Sequence, residues 1–157
     1  LGKGPYIGIA WKSSNMSVER LQNYSSISEW SQILSIPNVT FINLQYKDFE
    51  DDLAKVREEL GVTVHNFDDL DQWNNIDDVT ALCAALDIVI TNKITVVYMS
   101  AGVGTVTKLA NWKQSSWNTI LNNPVGPSID IYMRNTWETW DNVFRSIEKD
   151  ILKHINN

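Results

Sequence analysis

The feature that most constrains this chain is the run Leu86-Asp87-Ile88-Val89-Ile90-Thr91, followed at once by Asn92-Lys93-Ile94-Thr95 and then by an apolar stretch that resumes at helical spacing through Gly104. It reads as a buried strand, a polar turn and a helix packed through small residues, the repeating unit of an open α/β sheet. Such a unit puts a helix N-terminus at the carboxyl edge of a strand. Backbone N–H groups and the helix dipole favour phosphates there.

The same alternation runs through the rest of the chain. Tyr6-Ile7-Gly8-Ile9-Ala10 is a first buried strand, and residues 12–17 form the exposed loop at its carboxyl end. A short helix over 28–34 closes before Pro37, because the residue preceding a proline is pushed out of the α region. Residues 39–44 give the second strand. Phe49, Leu53, Val56 and Leu60 recur at spacings of three and four, which marks a helix with Gly61 as its C-cap. A third strand over 62–67 alternates as a strand near the sheet edge does. The next helix, capped by Asp77 or Asp78, ends near Leu86. Residues 106–110 and 128–134 read as strands five and six, with a loop over 122–128. A final amphipathic helix, capped by Asn135 or Thr136, carries Trp137, Trp140, Val143, Phe144, Ile147 and Ile151.

At 157 residues the chain is the size of one domain with a full core, so 1–157 is taken as a single unit. The implied architecture is a doubly wound, mainly parallel sheet of about six strands with helices on both faces, which is Rossmann-like. Ligands of such sheets sit outside the carboxyl ends of the strands. That rule singles out residues 12–15, 45–47, 68–74, 91–95 and 111–113.

Residues 77–104 also carry a family resemblance. Together with Gly8-Ile9-Ala10-Trp11-Lys12-Ser13, Phe41-Ile42-Asn43-Leu44-Gln45-Tyr46, and Ile131-Tyr132-Met133-Arg134 with Trp140, they resemble the C-terminal nucleotide-sugar half of GT-B glycosyltransferases. Within that group the chain is most like the heptosyltransferase-like domains often fused behind tetratricopeptide repeats. The resemblance implies a nucleotide-sugar donor as substrate and no cofactor. It also implies an acceptor domain or repeats N-terminal to Leu1, with the catalytic base on that other half. The family usually has a small polar or acidic residue where this chain has Lys93, and a His where it has Tyr98. Its aromatic-rich segment before the last strand is here Asn122-Asn123-Pro124-Val125-Gly126-Pro127-Ser128.

Candidate ligand-binding residues follow from the edge rule and the resemblance together. Lys12, Ser13 and Ser14 offer a cation and hydroxyl donors to a diphosphate. Thr95 in the first turn of its helix adds a hydroxyl beside N–H groups, and Lys93 a charge-assisted contact. Tyr98 can donate a hydrogen bond but cannot carry a proton at neutral pH as imidazole does. Gln45, with Glu50 and Asp51 nearby, lies where ribose hydroxyls are met in these folds. Trp73 and Asn74 are placed to flank a nucleobase.

Several classes are set aside. The net charge of −6 opposes an electrostatic footprint for nucleic acid or anionic membrane. No apolar run is long enough to span a membrane, and residues 1–5 lack the character of a signal peptide, so a cytoplasmic domain is expected. Cys83 is the single cysteine and sits in an apolar helical stretch as a buried thiol. His65 and His154 have no partner at metal-ligand spacing, so no metal site is expected. A nicotinamide-dependent domain would need Gly-x-Gly-x-x-Gly after its first strand, which is lacking. A binding or assembly module without transferase activity stays open beside the glycosyltransferase reading.

Overall fold

The computed structural model describes residues 3–14, 17–113 and 128–155. Six strands form one sheet: β1 (Tyr6–Ala10), β2 (Thr40–Asn43), β3 (Val64–His65), β4 (Ile88–Asn92), β5 (Val106–Trp112) and β6 (Ile129–Arg134). Their order is β3-β2-β1-β4-β5-β6 and every pair is parallel. The helices are α1 (Val18–Leu21), α2 (Ser31–Leu34) after a 3-10 turn (Ile27–Trp30), α3 (Glu50–Leu60), α4 (Ile76–Ala84), α5 (Val96–Gly102) and α6 (Asp141–Ile155). The doubly wound α/β fold expected from the sequence is therefore present.

Strand periodicity of two divides the core. On one face Ile7, Ile9, Ile88 and Ile90 meet Trp30, Ile33, Val56, Phe144 and Ile147, which come from α3, α6 and the segment entering and forming α2. On the other, Ala10, Ile42, Leu44 and Val89 meet Cys83, Leu86, Ile94 and Val96 from the ends and faces of α4 and α5. Burial from both sides is why β1 and the Ile88-Val89-Ile90 stretch of β4 are apolar without a break. Cys83 is fully buried, and that burial pushes its thiol up to about 11.

Gly8 is required by this second face. A Cβ at that position would lie 2.5 Å from Cδ1 of both Leu44 and Leu86, two leucines that are themselves buried. Gly8→Ala should therefore cost about 1–3 kcal/mol through overpacking. Urea denaturation checks this. An unchanged midpoint would mean that the two leucines repack freely.

Several boundaries differ from the sequence expectation: β5 runs two residues further, to Trp112, and residues 18–21 form the unexpected α1. α4 is capped by Asn75, whose side chain accepts from the Asp78 N–H at 3.3 Å, rather than by an aspartate. α6 begins at Asp141, not at Asn135 or Thr136, so Trp137 lies outside the helix and is 79% exposed. β3 shortens to two residues at the sheet edge. The 122–128 loop falls outside the described residues except for Ser128.

Candidate functional site

The chain builds β1, β2 and β3 in one direction and β4, β5 and β6 in the other, so strand order reverses between β1 and β4. Crevices in doubly wound sheets open outside the carboxyl ends at this point. Here the half of the edge over β4 to β6 is covered by the chain's own residues 22–27. Ser25 Oγ donates to Asn92 Oδ1 at 2.6 Å at the end of β4, and Trp30 Nε1 donates to Ser25 Oγ at 2.7 Å. Arg134, at the end of β6, donates through Nη2 to the Gln22 carbonyl at 2.7 Å. Its guanidinium lies 4.6 Å from the Trp140 ring, and Trp140 Nε1 donates to the Tyr24 carbonyl at 3.1 Å. Burial holds the Arg134 pKa below its ordinary value even though Glu29 and Glu138 pull the other way. Tyr24 packs with Ala10, Ile94 and Val96 across the switch point itself.

The open half lies over β1, β2 and β3, where three loops converge on Tyr46. Ser13 Oγ is 2.8 Å from the Tyr46 hydroxyl, which also accepts from the Ser14 N–H at 2.9 Å and reaches Ser14 Oγ at 3.3 Å. Partial burial alone would raise the Tyr46 pKa. Hydrogen bonds with Ser13 and Ser14, together with the charge of Lys47, more than reverse this and hold the phenol below its ordinary value. The other side of Tyr46 faces Trp73, with ring centroids 5.1 Å apart and tilted by 43°. Lys47 Nζ sits 3.7 Å over the Trp73 ring. Beneath them is a recess of about 290 Å³ whose polar lining includes Glu50, Asn66, Asp68 and Gln72.

Each residue singled out by the sequence has a definite place. Lys12 Nζ pairs with Asp52 Oδ2 at 2.7 Å, and the same oxygen accepts from Trp11 Nε1 at 2.8 Å. An ammonium carries three donors, so this pairing aims the group rather than exhausting it. Gln45 is 1% exposed: its Oε1 accepts from the Trp11 and Lys12 N–H groups at 3.2 and 3.1 Å, and its Nε2 donates to the Lys47 carbonyl. It clamps the β1 and β2 loops together and does not reach the open surface. Asn74 is exposed and closes a turn on Asp71, donating to that carboxylate from its backbone N–H and from Nδ2. Those bonds hold the Asp71 pKa below its ordinary value and fix the loop that presents Trp73.

On the β4 side, Lys93 is 8% exposed in the turn, while Thr95 is exposed at the N-cap of α5 and its side chain makes no capping hydrogen bond there. Tyr98 is half-buried and packs on the cluster of Val97, Ala101, Leu109 and Ile129. Lys12, Ser13 and Ser14 thus belong to one surface with Tyr46 and Trp73, and Gln45 supports it from below. Register places Thr91 beside Ala10, so the Lys93 and Thr95 turn follows the strand adjacent to β1. Among the described residues no group of His, Cys, Asp and Glu is arranged to hold a metal ion.

Sequence reasoning gave no role to the side chains of Tyr46, Lys47 and Asp52. Tyr46 and Lys47 lie directly after β2, so the edge rule included their loop without marking their side chains. Asp52 was legible only as an acid complementing a helix N-terminus.

No protein-family model matches the chain. It is 35% identical over 143 residues to the protein FlbA of Caulobacter vibrioides, an alignment that takes in 90% of this chain and 24% of FlbA. The chain therefore spans about a quarter of the length of that relative. Among the described residues no helix is long and apolar enough to cross a membrane.

Proposed function

We propose that this domain is the donor-binding half of a glycosyltransferase that moves a sugar from a nucleotide-sugar to an acceptor hydroxyl. The observation that carries the reading is the convergence on Tyr46, where a hydroxyl cluster and the half-exposed Trp73 ring meet one side chain. In this reading the nucleobase lies on Trp73, because an aromatic face stacks on any base. Ribose hydroxyls donate to the carboxylates of the recess below it. The diphosphate meets Ser13, Ser14 and Lys12, with Thr95 and Lys93 on the neighbouring strand end. No cofactor is called on.

In the transfer, the acceptor oxygen forms a bond to the anomeric carbon as the bond from that carbon to the diphosphate oxygen breaks. The nucleoside diphosphate leaves with the electron pair, and this domain's cations and hydroxyls stabilise its growing charge. The acceptor proton goes to a base, which the resemblance assigns to an N-terminal acceptor domain or repeat region. A cytoplasmic site of action belongs to the same reading.

Thr95 gives a residue-level test. Its hydroxyl is exposed and makes no capping bond, so Thr95→Ala should leave the melting temperature almost unchanged. Loss of a hydrogen bond to a charged group is worth about 1.5–3 kcal/mol, so calorimetry should show nucleoside diphosphate affinity falling about tenfold or more. Equal affinity in the variant would remove Thr95 from the site.

A second reading, a nucleotide- or protein-binding module without transfer, is favoured by Tyr98, whose ring packs against the core where the resembled family has a titratable His. Lys93→Asp with Tyr98→His in the full-length protein separates the two. Transfer by the native protein that the double variant loses supports a working but divergent site. Transfer gained only by the double variant supports the binding module.

A further inference from the structure

We infer that the flank of α4 is a docking surface for a basic amphipathic helix of a partner protein. Between Arg57 and Lys93 the sequence carries Glu58, Glu59, Asp68, Asp69, Asp71, Asp77, Asp78 and Asp87 but no lysine or arginine. All eight carboxylates are exposed. A cation-free stretch of this length is more than a solvated helix face, because it includes an apolar depression. A groove of about 340 Å³ is lined by Phe67, Leu70, Ala81 and Leu82, with Asp69 and Asp78 alongside. Phe67 and Leu82 pack inward against the core cluster of Ile42, Leu44 and Val89, which makes the groove floor rigid.

The shape selects a helix. Asp78, Ala81, Leu82 and the C-cap residue Ala85 share one face of α4 at spacings of three and four. Ala81, Ala84 and Ala85 are exposed, so at these three positions no long side chain holds a neighbouring backbone away. A helix laid beside α4 would place apolar anchors on Phe67, Leu70 and Leu82, the pattern of helix-in-groove recognition. Its lysines or arginines would meet Asp69 and Asp78. An acidic partner would instead face like charge from Asp69 and Asp78 in the groove lining, which disfavours it. The inference does not depend on nucleotide binding, since α4 supplies half of the lining and the Trp73 recess shares only Phe67 and Leu70 with it.

The probe is a helical Leu–Lys peptide with leucines at i, i+3, i+4 and i+7, compared with its Leu–Glu counterpart. By NMR titration of the protein, the basic peptide should bind saturably, with amide shifts concentrated at residues 67–70 and 78–85. The acidic peptide should not bind. Ala81→Trp fills the groove without changing the charge and should weaken binding about tenfold or more, a loss of about 1.4 kcal/mol. Asp69→Asn, a conservative surface change, should weaken it by a smaller factor and reduce its salt dependence. Undiminished binding by Ala81→Trp, or shifts spread evenly over all acidic surfaces, would show attraction by net charge alone and overturn the inference. No binding of the basic peptide to the native protein would overturn it as well.

Discussion

Trp30→Ala should lower the free energy of unfolding by about 3–5 kcal/mol, the usual cost of emptying a large aromatic site in a core. Trp30 is fully buried, its ring centroid is 4.9 Å from that of Phe144, and it belongs to the larger core cluster with Ile33, Ile147 and Ile151. Its indole also donates to Ser25, which in turn donates to Asn92, so the substitution removes one donor from the network that ties residues 22–27 to the end of β4 as well as leaving a cavity. Trp30→Phe keeps one aromatic ring while removing the donor and part of the buried volume, and its cost should be smaller than that of the alanine variant. Chemical denaturation measures both. A loss below about 1 kcal/mol in the alanine variant would mean that the interior refills by collapse, contrary to the close packing described.

Trp73→Ala should have the opposite signature, a large change in ligand affinity with little change in stability. Trp73 is 50% exposed and lies on Tyr46 and Lys47 at the surface, outside the buried clusters. Stacking of a base on an aromatic side chain is worth about 1–3 kcal/mol, so nucleoside diphosphate affinity should fall roughly five- to hundredfold. Trp73→Phe should restore much of it, because stacking calls on the ring face rather than the indole nitrogen. Isothermal calorimetry on the three proteins checks this. A Trp73→Ala variant that binds as tightly as the native chain would place the base elsewhere on the edge.

The layered fold was legible because it rests on local pattern. The apolar runs of β1 and β4, the three-and-four spacing of α3 and the Gly61 stop, observed at φ 66°, each encode their element within a few neighbours. The cover over the β4 to β6 edge was not legible. It depends on pairs such as Ser25 with Asn92 and Trp140 with Tyr24, separated by 67 and 116 positions, which no window of sequence contains. The start of α6 was misplaced for a related reason. Trp140 extends the helical period of the apolar residues but is buried by stacking on Arg134, while Trp137 points to solvent from a turn. At the site, the edge rule located the loops but not the use of each side chain. Gln45 lies in the right loop, yet two backbone N–H groups after β1 need an acceptor, and its amide supplies it. Tyr46, one residue on, takes the exposed position.

Nucleoside diphosphate binding at the Tyr46 surface, as proposed, is decided by NMR titration of the protein with UDP, GDP and ADP in parallel. Saturable shifts should appear at Ser13, Ser14, Tyr46 and the Trp73 indole, and at Lys93 and Thr95 on the neighbouring strand end. At least one of the three nucleotides should produce them while the core amides of β1 and β4 stay in place. No shift at these residues with any of the three at millimolar concentration would contradict the donor-binding role.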